Sequence, residues 1–289
     1  MEILPEWERI DPFQLQGTLL VVGAPDVGKS TFARYLYQRL QESKRPAAYL
    51  DGDPGQGKLG PPATMTLTTG SMLDSPFQLE VPAWRSFVGS TTPAGHMLPV
   101  VVGAARLIRT AHEAGYEVVV YDTTGLIDPN RGGTHLKLAK INLLRPSILF
   151  AIQRDRELEA LLRPLFHSRR LEVIEMPVSP RAESRDLLTR RAFRAEKFAH
   201  YFAGARPKKL SWARLAVFPI PAFKLNLLVA MEDVNGYILG LGIIQQIVGE
   251  SREVTLLTPL PSLEGVDSIA LGDVVLDPQT FFDHPVTAE

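Results

Sequence analysis

Gly23-Ala24-Pro25-Asp26-Val27-Gly28-Lys29-Ser30, followed by Thr31, stands between the apolar run Thr18–Val22 and a stretch of helical periodicity from Lys29 to Gln41. The spacing is G-x-x-x-x-G-K-S, and the strand–loop–helix setting gives each position a mechanical reason. The glycines let the backbone curl so that its N–H groups face a phosphate chain, and the helix opening near Lys29 adds its positive dipole end. Lys29 reaches the terminal phosphates and the Ser30 hydroxyl can hold Mg²⁺. Residues 23–31 are therefore expected to bind a nucleoside triphosphate, with ATP and Mg²⁺ as the cofactors.

Working outward, short β-branched runs alternate with longer helical ones from Thr18 to Ala203, the pattern of a parallel sheet flanked by helices. Strands are expected at Thr18–Val22, Ala47–Asp51, Glu117–Asp122, Ile148–Ile152 and Leu171–Glu175. Helices are expected near Lys29–Gln41, Val100–Ala114, Thr134–Leu144, Asp155–Leu165 and Ala182–Phe202. Leu19-Leu20-Val21-Val22 and Val118-Val119-Val120 are apolar throughout, as strands buried on both faces should be. After Pro207-Lys208-Lys209 the chain turns to aliphatic runs separated by Gly, Asn, Asp and Pro, which reads as a small all-β module. Its strands are expected at Arg214–Phe218, Asn226–Met231, Tyr237–Val248, Glu253–Leu257 and Ser268–Leu276. The fold class is thus α/β, a P-loop NTPase parallel sheet with helices on both faces over residues 1–208, plus a C-terminal β domain over 209–289.

With no Cys, the chain has no disulfides, thiol catalysis or Cys-based zinc site, which suits a reducing compartment. Charges at Glu6, Glu8, Arg9 and Asp11 interrupt any signal-peptide core, and no run approaches the ~20 apolar residues of a membrane span. A cytoplasmic location without a membrane partner is expected. The formal net charge of −1 conceals an asymmetry: residues 131–215 carry nineteen Lys/Arg against eight Asp/Glu, while residues 216–289 carry two against ten. The basic middle suits a polyanion, and it equally suits solvated Arg-rich helix faces.

Two further loops lie at the strand ends where ligands sit in an open α/β sheet. Asp51-Gly52-Asp53-Pro54-Gly55-Gln56 offers Asp53 as a general base and metal group, and Asp51 to help hold the hydrated metal. Asp122-Thr123-Thr124-Gly125 has the D-x-x-G form of GTPase switches, but no N-K-x-D or T-K-x-D occurs anywhere, which argues against GTP. Later, Arg190 and Arg194 fall four apart on one helix face, suited to clamping a phosphoryl group, or to an exposed face over packed Leu187, Leu188, Phe193 and Phe198.

Together these segments resemble the polynucleotide 5′-hydroxyl kinase family that includes the kinase subunit of the pre-mRNA cleavage factor and the nucleolar ribosomal-RNA-processing kinase. The resemblance rests on GAPDVGKST at Gly23–Thr31, LDGDPGQG at Leu50–Gly57, VGSTTPAGH at Val88–His96, DTTGLI at Asp122–Ile127, LKLAKINLLRPS at Leu136–Ser147 with AIQRDRELEALL at Ala151–Leu162, and the Arg185/Arg190/Arg194 series. It implies transfer of the ATP γ-phosphoryl group to single-stranded RNA or DNA 5′-OH ends, RNA being preferred. It implies Lys29, Asp53, Arg190 and Arg194 as catalytic, Ser30, Asp51 and Asp53 as metal-binding, and Gln56, Thr91, Thr92, Thr123, Thr124 and Gly125 as substrate-binding.

Two departures stand out. Leu126 occupies the place of the Trp that stacks on a terminal base in eukaryotic members, so Trp84 or Phe87 is a candidate substitute. About fifteen residues precede the first strand, so a short form without the N-terminal β domain is expected. Protein partners stay open. The competing readings are a non-catalytic ATP-binding subunit of an RNA-processing assembly and a nucleotide-driven switch or small-metabolite kinase.

Overall fold

A computed structural model of the chain describes residues 3–70, 83–180 and 182–286. The chain divides into two compact units, one of residues 1–53, 65–83 and 93–185, the other of 54–64, 84–92 and 186–289. Both are discontinuous in sequence.

The first unit opens with α1 (Pro5–Glu8), β1 (Gly17–Gly23), α2 (Lys29–Glu42), β2 (Ala47–Gly52) and β3 (Thr64–Thr68). β4 (Ala83–Phe87) leads into the second unit, and the first resumes with α3 (Met97–Glu113), β5 (Val118–Thr123), α4 (Gly133–Leu144), β6 (Ile148–Ile152), α5 (Glu159–Leu165) and β7 (Glu172–Met176). Its strands lie in the order β3-β2-β5-β1-β6-β7, with β2, β5, β1, β6 and β7 mutually parallel. These are the five expected strands, each within a residue or so of its expected limits.

Crossovers between parallel strands are right-handed, so the direction of each step fixes the face of its helix. β1 to β2 steps one way across the sheet; β2 to β5, β5 to β6 and β6 to β7 step the other. Hence α2 covers one face and α3, α4 and α5 the opposite one. On the α2 face Phe32 packs edge-on against Phe150 of β6 at 5.0 Å, and Trp7 of α1 closes over Phe32 at 5.3 Å. β1, β2 and β5 are buried almost without interruption, as their apolar runs require.

Some details differ from the expectation. β3, Thr-Met-Thr-Leu-Thr, pairs antiparallel with β2 and makes the sheet mixed. α5 starts only at Glu159, because the Glu157 carboxylate accepts from the amides of Arg154 and Asp155 and holds that stretch as a turn. α6 starts at Leu187 rather than Ala182, where the Asp186 carboxylate caps it by accepting from the Thr189 amide at 2.6 Å.

In the second unit, α6 (Leu187–Tyr201) is followed by β8 (Arg206–Ser211), β9 (Ala216–Phe218), β10 (Leu227–Glu232), β11 (Ile238–Val248), β12 (Glu253–Thr258), β13 (Ser268–Leu276) and β14 (Asp283–Pro285). The sheet order is β14-β13-β10-β11-β12-β8, with β9 alongside β13. Period-two alternation splits β10 between two cores. Leu228 and Ala230 face Phe198 and Phe202 at the end of α6, while Leu227, Val229 and Met231 join Ile244, Val254, Leu256 and Ile269 on the other side. Pro207-Lys208-Lys209 lies inside β8, an edge strand paired to β12; Pro and Lys are residues that blunt such an edge.

Candidate active site

Gly23 ends β1 where a Cβ would sit 2.5 Å from the Ile152 carbonyl oxygen and 2.7 Å from Val27, so the close approach of backbone to backbone admits only glycine there. The loop then turns through Asp26 and Gly28, both left-handed at φ 57° and 96°, and Gly28 caps α2 without a side chain. Val27 is buried and anchors the turn. Lys29 is 7% exposed, and its ammonium donates to the Ala24 carbonyl at 2.5 Å across the loop, the position a phosphate oxygen would contest. Ser30 and Thr31 follow in the first turn of α2.

Asp26, between the glycines, accepts from the Arg185 amide at 3.0 Å and from its guanidinium at 3.2 and 3.3 Å. Arg154 donates to the Asp26 carbonyl at 2.9 Å. Two arginines thus brace the outside of the loop.

Parallel register places Asp51 of β2 beside Asp122 of β5, with Val21 of β1 on the other side of Asp122. Burial pushes the Asp122 carboxyl up to about 7, and the negative charge of Asp51 pushes the same way; the Ser30 hydroxyl bonded to it and the Lys29 charge pull back. Tyr49 donates to Asp122 Oδ2 at 3.2 Å, while Asp122 Oδ1 is buried without a hydrogen-bond partner among the described residues. A serine hydroxyl, neighbouring carboxylates and an orphaned oxygen form a donor set that suits a hard divalent cation. Among the described residues no group of three or more His, Asp or Glu side chains could hold a metal alone.

Asp122 is not among the metal ligands that the resemblance implies. Its signal was the apolar run Val118–Tyr121 closed by an acid.

The loop after β5 is built from below by α4. Lys137 is fully buried and donates to Thr123 Oγ1 at 2.8 Å and to the Thr124 carbonyl at 2.5 Å, and Thr123 in turn donates to the Val21 carbonyl. The Thr123 hydroxyl is therefore engaged within the fold, whereas Thr124 Oγ1 is buried and has no hydrogen-bond partner among the described residues. Gly125 lies so close to the phosphate loop that a Cβ would come within 2.9 Å of the Pro25 backbone. Lys140, one turn beyond Lys137, is buried over the Tyr121 ring at 4.7 Å with no hydrogen-bond partner among the described residues. Burial pushes its ammonium down to about 7, with Asp53 and Asp122 opposing. Both lysines were invisible as site residues, since a Lys on a helix ordinarily reads as solvated.

The first unit therefore gathers the phosphate loop, Asp51, Asp53, Asp122 and Thr123–Gly125. Gln56, Thr91, Thr92, Arg190 and Arg194 belong to the second unit. There Gln56 donates to the Arg190 carbonyl at 3.3 Å, and the Thr92 amide to Ser90 Oγ at 3.3 Å. Arg194 Nε donates to both oxygens of Asp283, at 3.0 and 3.1 Å, and Thr91 Oγ1 donates to the same carboxylate at 2.8 Å. Asp283 had no signal in sequence, being one acid in an acidic β module.

Residues 23–204, from the first glycine of the phosphate loop to just beyond α6, match the family described as mRNA cleavage and polyadenylation factor CLP1 P-loop. The chain belongs to the CLP1 P-loop family. Among its relatives, a polyribonucleotide 5′-hydroxyl-kinase of Pyrococcus furiosus is 26% identical over 92% of this chain and 90% of its own length. Another protein of that name, from Methanocaldococcus jannaschii, is 31% identical over 65% of this chain and about half of its own length (51%). Of solved structures, the wild-type Clp1p–Pcf11p complex superposes with a TM-score of 0.66 at 15% identity, covering 91% of this chain and 75% of that one; it bears on the fold alone. Membership of the CLP1 P-loop family carries nucleotide and divalent-metal use. Its matched span holds the loop, both acidic strand ends and the arginines of α6, while Asp283 falls outside it.

Proposed function

We propose that the chain is an ATP-dependent polynucleotide 5′-hydroxyl kinase acting on RNA ends, with DNA ends as a second acceptor. The observation that carries this reading is the convergence, within one unit of a CLP1 P-loop family member, of the phosphate loop with the carboxylates ending β2 and β5. Relatives of this chain named polyribonucleotide 5′-hydroxyl-kinases supply the acceptor class.

Lys29 would leave the Ala24 carbonyl for the β/γ phosphates of ATP, and the loop amides would hold the phosphate chain. Ser30, Asp122 and Asp51 would hold Mg²⁺, which when bound neutralises charge on the phosphates. Asp53 accepts the proton of the attacking 5′-hydroxyl as the new P–O bond forms and the bond to the ADP oxygen breaks. Thr124 and Gly125 keep the role the resemblance gives them, contact with the substrate end, while Thr123 shapes that loop from within. Arg190 and Arg194 keep the phosphate-clamping role that the resemblance gives them.

The test is transfer from γ-labelled ATP to matched 5′-OH RNA and DNA oligonucleotides, with Lys29→Ala as the blank. Label on the RNA, absent from the blank, supports the kinase. Nucleotide binding without transfer to either oligonucleotide would instead favour the ATP-binding subunit.

A further inference from the structure

Within the second unit, the loop after β4, the middle of α6 and the strands β13 and β14 line an open pocket of about 390 Å³. Thr91, Arg191, Arg194, Asp283 and His284 give it its chemistry. Asp283 and Arg194 are largely buried and neutralise one another, and the Thr91 hydroxyl completes the triad. Arg191 has no carboxylate partner among the described residues. Its guanidinium stacks 5.0 Å from the Phe282 ring and lies 3.0 and 3.2 Å from the His284 ring nitrogens, while its Nε is buried without a hydrogen-bond partner among the described residues.

The wall therefore presents the Arg191 guanidinium, which has no ion-pair partner among the described residues, beside hydroxyl groups and the carboxylates of Asp273 and Asp283. A bare anion site would gather uncompensated cations; this mixture matches a sugar–phosphate. The volume lies near the lower end of the ~300–1,000 Å³ of ligand pockets, room for one nucleotide unit and too little for a duplex end.

We propose that this pocket is a subsite for one sugar–phosphate of the acceptor strand, with Arg191 on the phosphodiester and Asp283 as the residue that positions Arg194 and Thr91. The proposal rests on the polynucleotide reading and assigns part of the acceptor site to β14, beyond the family-matched span. Arg191 is the better phosphate ligand of the two pocket arginines, because Arg194 Nε is already committed to Asp283.

The experiment is equilibrium binding of a 3′-labelled, 5′-OH single-stranded RNA oligonucleotide to the full chain across a salt series, without ATP. Arg191→Ala is expected to weaken binding about tenfold, the usual scale for a hydrogen bond to a charged group. It should also flatten the slope of log affinity against log salt by about 0.7, the share of one single-strand phosphate. Arg191→Lys should restore the slope and only part of the affinity, since a point charge replaces a fork. An unchanged ATP-induced thermal shift in Arg191→Ala shows that the variant is folded. Asp283→Asn should raise the KM for RNA and leave the KM for ATP unchanged. Absence of RNA binding by the wild type, or an Arg191→Ala variant with unaltered affinity and slope, overturns the proposal. RNA bound with the expected slopes but never phosphorylated would leave the subsite standing and remove the kinase; RNA phosphorylated with Arg191→Ala unaltered would do the reverse.

Discussion

Asp122 ends a strand whose neighbours leave it no water and a second carboxylate alongside, so in the metal-free protein its charge is expensive. Its folded pKa lies above the ordinary carboxylate range, at about 7, so the folded state holds the proton more tightly than the unfolded chain. That contribution to stability is present in full below the unfolded value and is lost as pH rises through about 7. Asp122→Asn should therefore raise the melting temperature in EDTA by about 5 °C at pH 8 and leave it nearly unchanged at pH 3.5. Equal gains at both pH values would refute the assignment of that stress to Asp122. For the chemistry itself, Lys29→Ala should abolish transfer. Asp53→Asn should keep nucleotide binding and lower kcat about 100-fold or more. An Asp53→Asn enzyme close to wild-type rate would mean that another group takes the proton.

Between elements, the site depends on close approaches that no single segment specifies. Gly125→Ala would drive a methyl into the Pro25 backbone, so calorimetry should find nucleotide affinity reduced about tenfold; unchanged affinity would show that the two loops move apart freely. Arg194→Ala should lower kcat more than it raises the KM for ATP if α6 acts on the transition state, and steady-state kinetics separates the two. The parallel strands and the phosphate loop were legible because buried runs such as Leu19–Val22 have no other use and G-x-x-x-x-G-K-S has few. Other elements were not. β8 carries Pro207 and two lysines because it is an edge, and β14 is three residues long, held by pairing with β13. Asp122, Lys137 and Lys140 stand in quoted motifs, yet the sequence gives them no site role for a related reason: each acquires its meaning from burial against a strand distant in sequence, and charge in a sequence reads as exposure until the fold removes the solvent.

At the scale of the molecule, the second unit draws its core from three separated stretches of chain. Ala63 belongs to the same buried cluster as Phe198, Leu228 and Leu276, and the Gly89 carbonyl accepts from the Asp273 amide at 2.7 Å. Phe198 belongs to that cluster and is fully buried, so Phe198→Ala should cost about 3–5 kcal/mol in chemical denaturation. A loss under 1 kcal/mol would mean that α6 is not integral to the unit. The threading also sets a timetable. A ribosome delivers residues 54–64 and 84–92 long before the strands that cover them exist, so those segments must wait, unburied, until β13 has emerged. The first unit has its sheet complete once β7 is made, while the second stays open to proteases and chaperones until β13 has been made.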